Sequence, residues 1–521
     1  MAFARRHLAV AAPAALAAAL AFVAVLAGWR GVDFPAQLYR VGLFHRDGLV
    51  LWDSQWYGGH WTFDYSVLFP AIAGVIGIEA TQILAAAAAA FAFDRLVVGH
   101  FGARARVSSL LFASGTLVEV AIGQLPFLVG EAFALGACLA AGRKQWALAT
   151  ALALLAALTS PLAGGFLALS AAAWLLANWP QRRLGLAAVA VAASLPVVVT
   201  ALAFPGEGTM PFPTGDFLQI AALFAGLWFA IPKGERVVRI GVGIYVLAIG
   251  ASFVIASPMG GNVSRLGECV GAPLVICVLW PRRRWLAAAV IVPLVAMQWS
   301  PAFAAFTSDH SDRSARPAYY QPLLRFLAAH RRPLGRVEVV PTRVHWEAAY
   351  IAPSAALARG WERQLDTADN PIFYTPGALT PASYYGWLLD NGVRFVALPD
   401  AALDFAGQAE AHLVAAGVPG LGPPQSVGPW RIFAVEGSTG LVDGPGTVTQ
   451  LGGGEVGVRF WRPGTAVVRV RYDSRWEVVG DTACLAEAPG GWTAVTSRGG
   501  GDVRLRLGLL SDHDTACPSG A

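Results

Sequence analysis

The sequence predicts an α-helical polytopic membrane domain of about eleven spans, followed by an α/β region and a β-sandwich. Three observations carry this. The 521 residues are 56% hydrophobic and only 14% charged, with a mean hydropathy of +0.53, whereas soluble domains carry about a quarter charged residues. The long apolar runs all fall in residues 1–299, and none of about 18 residues follows Ser300. The charge divides at the same place: residues 1–299 hold 19 Lys and Arg against 12 Asp and Glu, a net of +7, and residues 300–521 hold 19 against 21, a net of −2. The basic residues of the first half sit in short loops between apolar runs, as membrane topology requires, which excludes nucleic acid as a partner.

Taking about 20 mostly apolar residues as one span, candidates lie near residues 8–28, 79–97, 107–123, 125–141, 145–159, 162–178, 184–203, 217–231, 240–256, 266–280 and 285–299. Every second junction is basic: Arg5 and Arg6; Arg95, Arg104 and Arg106; Arg143 and Lys144; Arg182 and Arg183; Lys233, Arg236 and Arg239; Arg282, Arg283 and Arg284. These are 15 residues, and the alternate junctions hold four: Arg30, Arg40, Arg46 and Arg265. The alternation predicts a cytoplasmic N-terminus, an odd number of spans in the plasma membrane and an extracytoplasmic C-terminal half. Residues 1–28 also fit a cleaved signal peptide, but the apolar run is long and no small-x-small site precedes Trp29, so a first anchor is expected.

The first outward loop, about residues 29–66, is dense in chemistry. It carries Asp33, Asp47, Asp53 and Asp64, His45 and His60, Arg30, Arg40 and Arg46, and six aromatics from Trp52 to Tyr65, and of these Arg40, Arg46, Trp56, Tyr57 and His60 are expected to bind substrate, together with Glu119, Glu131, Asn262 and Arg265 further along. A loop of this length is uncommon unless functional or disordered, and its aromatic content argues against disorder. The bland alternative is an interfacial belt of Trp and Tyr. Glu119 and Glu131 flank the turn GQLP inside apolar spans, where an ionisable group normally faces a wet cavity or a partner. The segment SPMGGNVSRLGE brings Asn262, Arg265 and Glu268 to the same side. Arg265 suits a bound phosphate or, equally, a pair with Glu268 one helical turn on. TSPLAGG and FPGEGTMPFPTGD add Pro- and Gly-rich outward turns.

With a first span, a long outer loop opening on an acidic residue, many further spans and an extracytoplasmic C-terminal domain, the layout resembles the GT-C class of multi-pass glycosyltransferases. The segments GVDFPAQLYR, LWDSQWYGGHWTFDYS, GQLPFLVGEAFALG, TSPLAGGFL and SPMGGNVSRL also resemble multi-pass membrane proteins of high-GC actinobacteria. The GT-C resemblance implies a polyprenyl-phosphate sugar donor and a cell-envelope glycan or glycolipid acceptor. It implies that the catalytic carboxylate matches Asp33, with Asp53 second. Arg265, or Arg40 and Arg46, would neutralise the leaving phosphate. Many members carry an adjacent acidic pair or a DxD/DxE-like motif, whereas Asp33 stands alone between Val32 and Phe34, so the cofactor is left open, with a divalent metal as the candidate.

Residues 300–436 read as α/β, with YYQPLLRFLAAH and PASYYGWLLDNG helical and VEVV and VRFVALPD strand-like. GWERQLD and HWEAAY form its polar centre, naming His345, Glu347, Trp361, Glu362, Arg363 and Asp366; a satisfied structural network is preferred there over acceptor binding. Residues 437–521 alternate apolar and polar, as in VGVRFWRPGTAVVRVRYDSRWEVV and DVRLRLGLL, and predict a small β-sandwich. Cys138, Cys269 and Cys277 belong to the membrane half, leaving Cys484 and Cys517 as one expected disulfide of the outer half. No CxxC, His-x-x-x-His, P-loop, GxSxG or Rossmann fingerprint appears in context. The leading expectation is an enzyme, a GT-C-type glycosyltransferase. A transporter or lipid flippase using Glu119 and Glu131 is the alternative, although no internal repeat supports it; a non-catalytic envelope-assembly scaffold is a third.

Overall fold

The computed structural model describes residues 2–179, 183–206, 208–480, 483–508 and 517. Arg182 of the basic junctions, and Leu509 and Leu510 at the end of the last strand-like segment, lie outside them. The chain forms two compact units, Met1–Gln37 with Phe63–His310, and Leu38–Thr62 with Ser311–Ala521.

The first unit is helical. It comprises α1 (Ala2–Ala27), the start of α2 (Phe34–Asp47), α3 (Phe69–Ile76), α4 (Ile78–Phe101), α5 (Arg106–Ile122), α6 (Leu125–Gly142), α7 (Trp146–Thr159), α8 (Pro161–Ala177), α9 (Arg183–Ala203), α10 (Thr214–Ala230), α11 (Arg236–Val254), α12 (Ser264–Val278) and α13 (Arg284–Ala304). All eleven apolar stretches of the sequence are therefore helices. Among the described residues, six helical stretches are long and apolar enough to cross a membrane: Ile78–Phe101, Ala103–Ile122, Leu125–Gly142, Arg183–Ala203, Arg236–Val254 and Arg284–Thr307. Ala11–Ala27, Trp146–Thr159, Pro161–Ala177 and Thr214–Ala230 are apolar but shorter, and α12, with Arg265 and Glu268, falls in neither group.

Small residues let these helices close on one another. Ala86, Ala89 and Ala90 of α4, Ala113 and Ala121 of α5 and Ala137 of α6 are fully buried, the small-residue contact typical of membrane helix pairs. Exposed helix positions are apolar too, with Val254 of α11 and Trp285 of α13 81% and 89% exposed. Such positions fit a lipid environment better than water.

Within the stretch expected to be one loop, residues 34–47 form α2, which corrects that expectation. Phe34 and Pro35 open the helix, and His45 and Arg46 lie in its last turn, where cations suit the helix dipole. Its charged residues interrupt the apolar pattern and hide it from a search for spans.

The second unit takes residues 38–62 together with the C-terminal half. Beyond α2, the first segment holds two-residue strands β1 (Trp52–Asp53) and β2 (His60–Trp61), paired antiparallel. The mixed region comprises α14 (Pro317–Ala329), β3 (Arg336–Val339), α15 (Glu347–Tyr350), α16 (Arg363–Asp369), α17 (Pro381–Asp390), β4 (Val393–Pro399), α18 (Phe405–Ala416), β5 (Gln425–Val427) and β6 (Trp430–Ala434). Its sheet runs β3-β4-β6-β5, with β3 parallel to β4 and the rest antiparallel. Tyr384 and Leu388 of α17 and Ala411 and Val414 of α18 pack with Val393, Val396 and Leu398 of β4 in its core.

The strand-rich end comprises β7 (Val442–Asp443), β8 (Gly446–Gly452), β9 (Glu455–Phe460), β10 (Gly464–Arg471), β11 (Trp476–Val478), β12 (Ala483–Ala488), β13 (Trp492–Ser497) and β14 (Gly501–Leu507). They form two four-stranded antiparallel sheets, β12-β13-β10-β7 and β11-β14-β9-β8. Burial alternates along them, as at Val456, Val458 and Phe460 of β9, the period-two pattern the sequence predicted. Cys484 and Cys517 are disulfide-bonded.

Candidate functional site

The residues singled out by the sequence fall into two clusters, one in each unit. In the second unit, α2 and the β1–β2 segment carry Arg40, Arg46, Asp53, Trp56, Tyr57 and His60. Asp53 is fully buried; its Oδ2 accepts from Tyr39 Oη at 2.7 Å and its Oδ1 from the Gln55 N–H at 3.1 Å. Burial pushes its carboxyl up to about 6, against the pull of these bonds and of Arg46 and Arg40. Trp56 lies between Tyr39, with ring centroids 4.4 Å apart, and His60, at 5.7 Å. Burial, helped by Arg40, holds His60 down to about 3, so its ring is neutral at pH 7. Arg46 is exposed and lies 5.7 Å over the Tyr39 ring.

This segment is stitched to the stretch around residue 360. Arg40 Nη2 donates to Glu362 Oε2 at 2.6 Å, Tyr57 Oη bonds both backbone groups of Glu362, and the Leu357 N–H donates to the Gln55 carbonyl at 2.8 Å. A Cβ on Gly360 would stand 2.5 Å from Trp56 Cγ, so only glycine lets that ring close. Trp56 and Tyr57, expected to bind substrate, are 0% and 1% exposed and have no open face for a sugar ring. Asp53 is likewise closed off, and it lies in a different unit from Asp33.

Behind Gly360, Arg359 is ringed by carboxylates. Its Nε and Nη2 donate to Asp366 at 2.9 and 2.5 Å, its Nη1 donates to Glu410 at 3.1 Å, and Glu338 lies at 3.8 Å. Burial raises both Glu338 and Glu410, whereas Asp366, despite burial, is held below the ordinary range by Arg359. Next to it, Arg363 pairs with Asp404 at 2.9 Å, and His345, stacked on Trp361 at 3.5 Å, lies between Asp404 and Glu347. Burial alone would hold His345 down, but the two carboxylates more than reverse it. The polar centre read from GWERQLD and HWEAAY is thus a buried, paired network.

The cluster in the first unit sits among helices. Gly123, in the left-handed conformation at φ +88°, ends α5, and α6 begins two residues later, so Glu119 and Glu131 face one another across a tight helical hairpin. Cys269 of α12 completes the group, its Sγ 3.0 Å from Glu119 Oε1. One ligand atom from each of the three lies within 4.8 Å of the other two. All three residues are buried, and among the described residues Glu119 Oε2 and Glu131 Oε2 have no hydrogen-bond partner. Among the described residues, this is the donor set that could hold a metal ion.

Arg265 lies one turn before Cys269 on α12, over the Phe127 ring at 5.9 Å, and its charge acts on Glu119. Among the described residues it makes no ion pair or hydrogen bond, though its charge also acts on Glu268 one helical turn on. Asn262 precedes it in a half-buried 3-10 turn, its Nδ2 donating to the Pro258 carbonyl at 3.4 Å. Asp33 is half-buried, and its N–H donates to the Ile122 carbonyl at 2.9 Å, three residues beyond Glu119. Cys269 received no role from the sequence, since no metal motif contains it. Its place four residues after Arg265, on the same helix face, is the signal that marks it. Compared with known proteins, the chain matches no family model and no curated protein.

Proposed function

We propose that the protein is a membrane glycosyltransferase of GT-C type, moving a sugar from a polyprenyl phosphate to an envelope glycan or glycolipid on the outer face of the plasma membrane. On this reading the eleven apolar helices span the membrane, the N-terminus is cytoplasmic and the second unit is extracytoplasmic. The observation that carries it is Arg265: a half-buried guanidinium at the N-terminal turn of α12 that makes no hydrogen bond or ion pair among the described residues, although its charge acts on Glu119 and Glu268. A helix N-terminus and a guanidinium whose donors are unused together favour a phosphate. Asp33 supplies the second part. Its backbone is fastened to the last turn of α5, on the helical hairpin that carries Glu119.

The chemistry follows from these groups. The acceptor hydroxyl oxygen attacks the anomeric carbon, the bond from that carbon to the phosphate oxygen breaks with its electron pair, and the hydroxyl proton passes to the Asp33 carboxylate. Arg265 neutralises the charge that develops on the leaving phosphate. The test is transfer by protein reconstituted in membranes, beside mass spectrometry of envelope glycans from cells lacking the protein. Asp33→Asn should lower transfer by about 10²–10⁴-fold. Full-rate transfer by Asp33→Asn, or unchanged glycans in the deletion strain, would overturn the assignment. The unpartnered oxygens of Glu119 and Glu131 favour one second reading, a transporter or flippase coupled through them. Uptake abolished by Glu131→Gln, with glycans intact, would favour that reading.

A further inference from the structure

We propose that Glu119, Glu131 and Cys269 form a Zn²⁺ site that joins α5, α6 and α12. This goes beyond the transfer reading and does not rest on it. Two carboxylates are buried side by side, 4% and 8% exposed; Arg265 acts on Glu119 without forming an ion pair with it, and among the described residues no cation acts on Glu131. Buried charges of one sign are stable only when paired, protonated or bound to a metal. Each carboxylate also keeps an oxygen with no hydrogen-bond partner among the described residues. Those orphaned oxygens point to a ligand independently of the clustering itself.

The donor set selects the ion. A thiolate beside carboxylates suits Zn²⁺ and disfavours Mg²⁺ and Ca²⁺, which take oxygen ligands. Bonds of 2.0–2.3 Å to tetrahedral zinc set donors about 3.5 Å apart. Here Sγ and Oε1 are 3.0 Å apart and all three donor atoms lie within 4.8 Å of one another, so side-chain rotation of about 1 Å closes the site. Three protein ligands leave a fourth position open, the arrangement of reactive rather than purely structural zinc sites. Binding replaces the proton on Cys269 Sγ, which is released to solvent. The ion would stand one helical turn from Arg265, giving two positive centres on one face of α12.

The test uses the full chain in detergent, stripped by a chelator. Zn²⁺ competed against a chromophoric chelator should bind at one equivalent, and Co²⁺ in its place should show a thiolate-to-cobalt absorption band. Cys269→Ser should abolish that band, and Glu131→Gln should weaken Zn²⁺ binding by about tenfold or more. Co²⁺ bound by the wild-type protein without a thiolate band would overturn the proposal whether or not the variants fold. So would the absence of saturable binding, or equal affinity in wild type and Glu131→Gln; either result would leave the carboxylates neutralised by protons instead.

Discussion

Replacing Arg359 with Met tests what holds the second unit together. Methionine matches the arginine stem but ends one atom short of the guanidinium carbon, so the change removes the charge, the donors and the contact that this carbon makes 4.0 Å over the Phe373 ring, and keeps the apolar stem. Three charge-assisted bonds disappear, two to Asp366 and one to Glu410, and Glu338 loses its nearby cation. Removing one partner of a buried ion pair costs about 3–5 kcal/mol. Proton uptake caps the loss, because protonating an ordinary carboxyl at pH 7.5 costs about 4–5 kcal/mol. Glu338 and Glu410, already raised by burial, are the groups that would take the proton. The variant should therefore lose about 4–5 kcal/mol at pH 7.5. Its folded state then binds one more proton than the unfolded chain, so stability returns as pH falls, by about 1.4 kcal/mol per unit, leaving a deficit of about 1–2 kcal/mol at pH 5. Urea-dependent proteolysis of the full-length protein, following cleavage in residues 311–508, measures this. A loss under about 1 kcal/mol at pH 7.5, or the same loss at both pH values, would refute the account.

Asp53, held up to about 6 from an ordinary 3.8, binds its proton more tightly when folded. Its contribution is present in full below about pH 3.8 and is lost as pH rises through 6, about 3 kcal/mol in all, and Asp53→Asn should flatten that part of the stability–pH curve. His60, held down to about 3, acts oppositely: its contribution is lost as pH falls from 6.5 towards 3, and His60→Gln should lessen acid sensitivity in the same assay. Gly360→Ala drives a methyl against the Trp56 ring and should cost about 1–3 kcal/mol, read as earlier cleavage within residues 38–62. Cys484→Ser opens a loop of 33 residues and should cost about 3–4 kcal/mol on the chain-entropy account; a thermal midpoint unchanged by the substitution would refute it.

The apolar runs were legible because a spanning helix leaves some 20 residues of uniform chemistry, and the strands because Val456, Val458 and Phe460 alternate with polar neighbours. The disulfide was legible because the C-terminal half holds only two cysteines. What stayed hidden depends on distance along the chain. Arg40 meets Glu362 across 322 positions, and Glu119 meets Cys269 across 150, so no local pattern announces either contact. The aromatic loop illustrates the same point chemically. Trp56, Tyr57 and His60 look like a binding surface in sequence, yet they fill the interior of a unit whose other residues begin at Ser311.

That discontinuity has a consequence in time. Leu38–Thr62 is synthesised long before the residues that cover it. At about 5–20 residues per second, Arg40 waits roughly 15–60 s for Glu362 to emerge. During this interval Trp52, Trp56 and Trp61 lack the interior that later encloses them, which leaves this short stretch open to wrong partners. Arrested chains ending before residue 311 should accordingly be cut by protease within residues 38–62, and chains extending past residue 508 should resist. Equal resistance in both would mean that the segment finds shelter before its own unit exists.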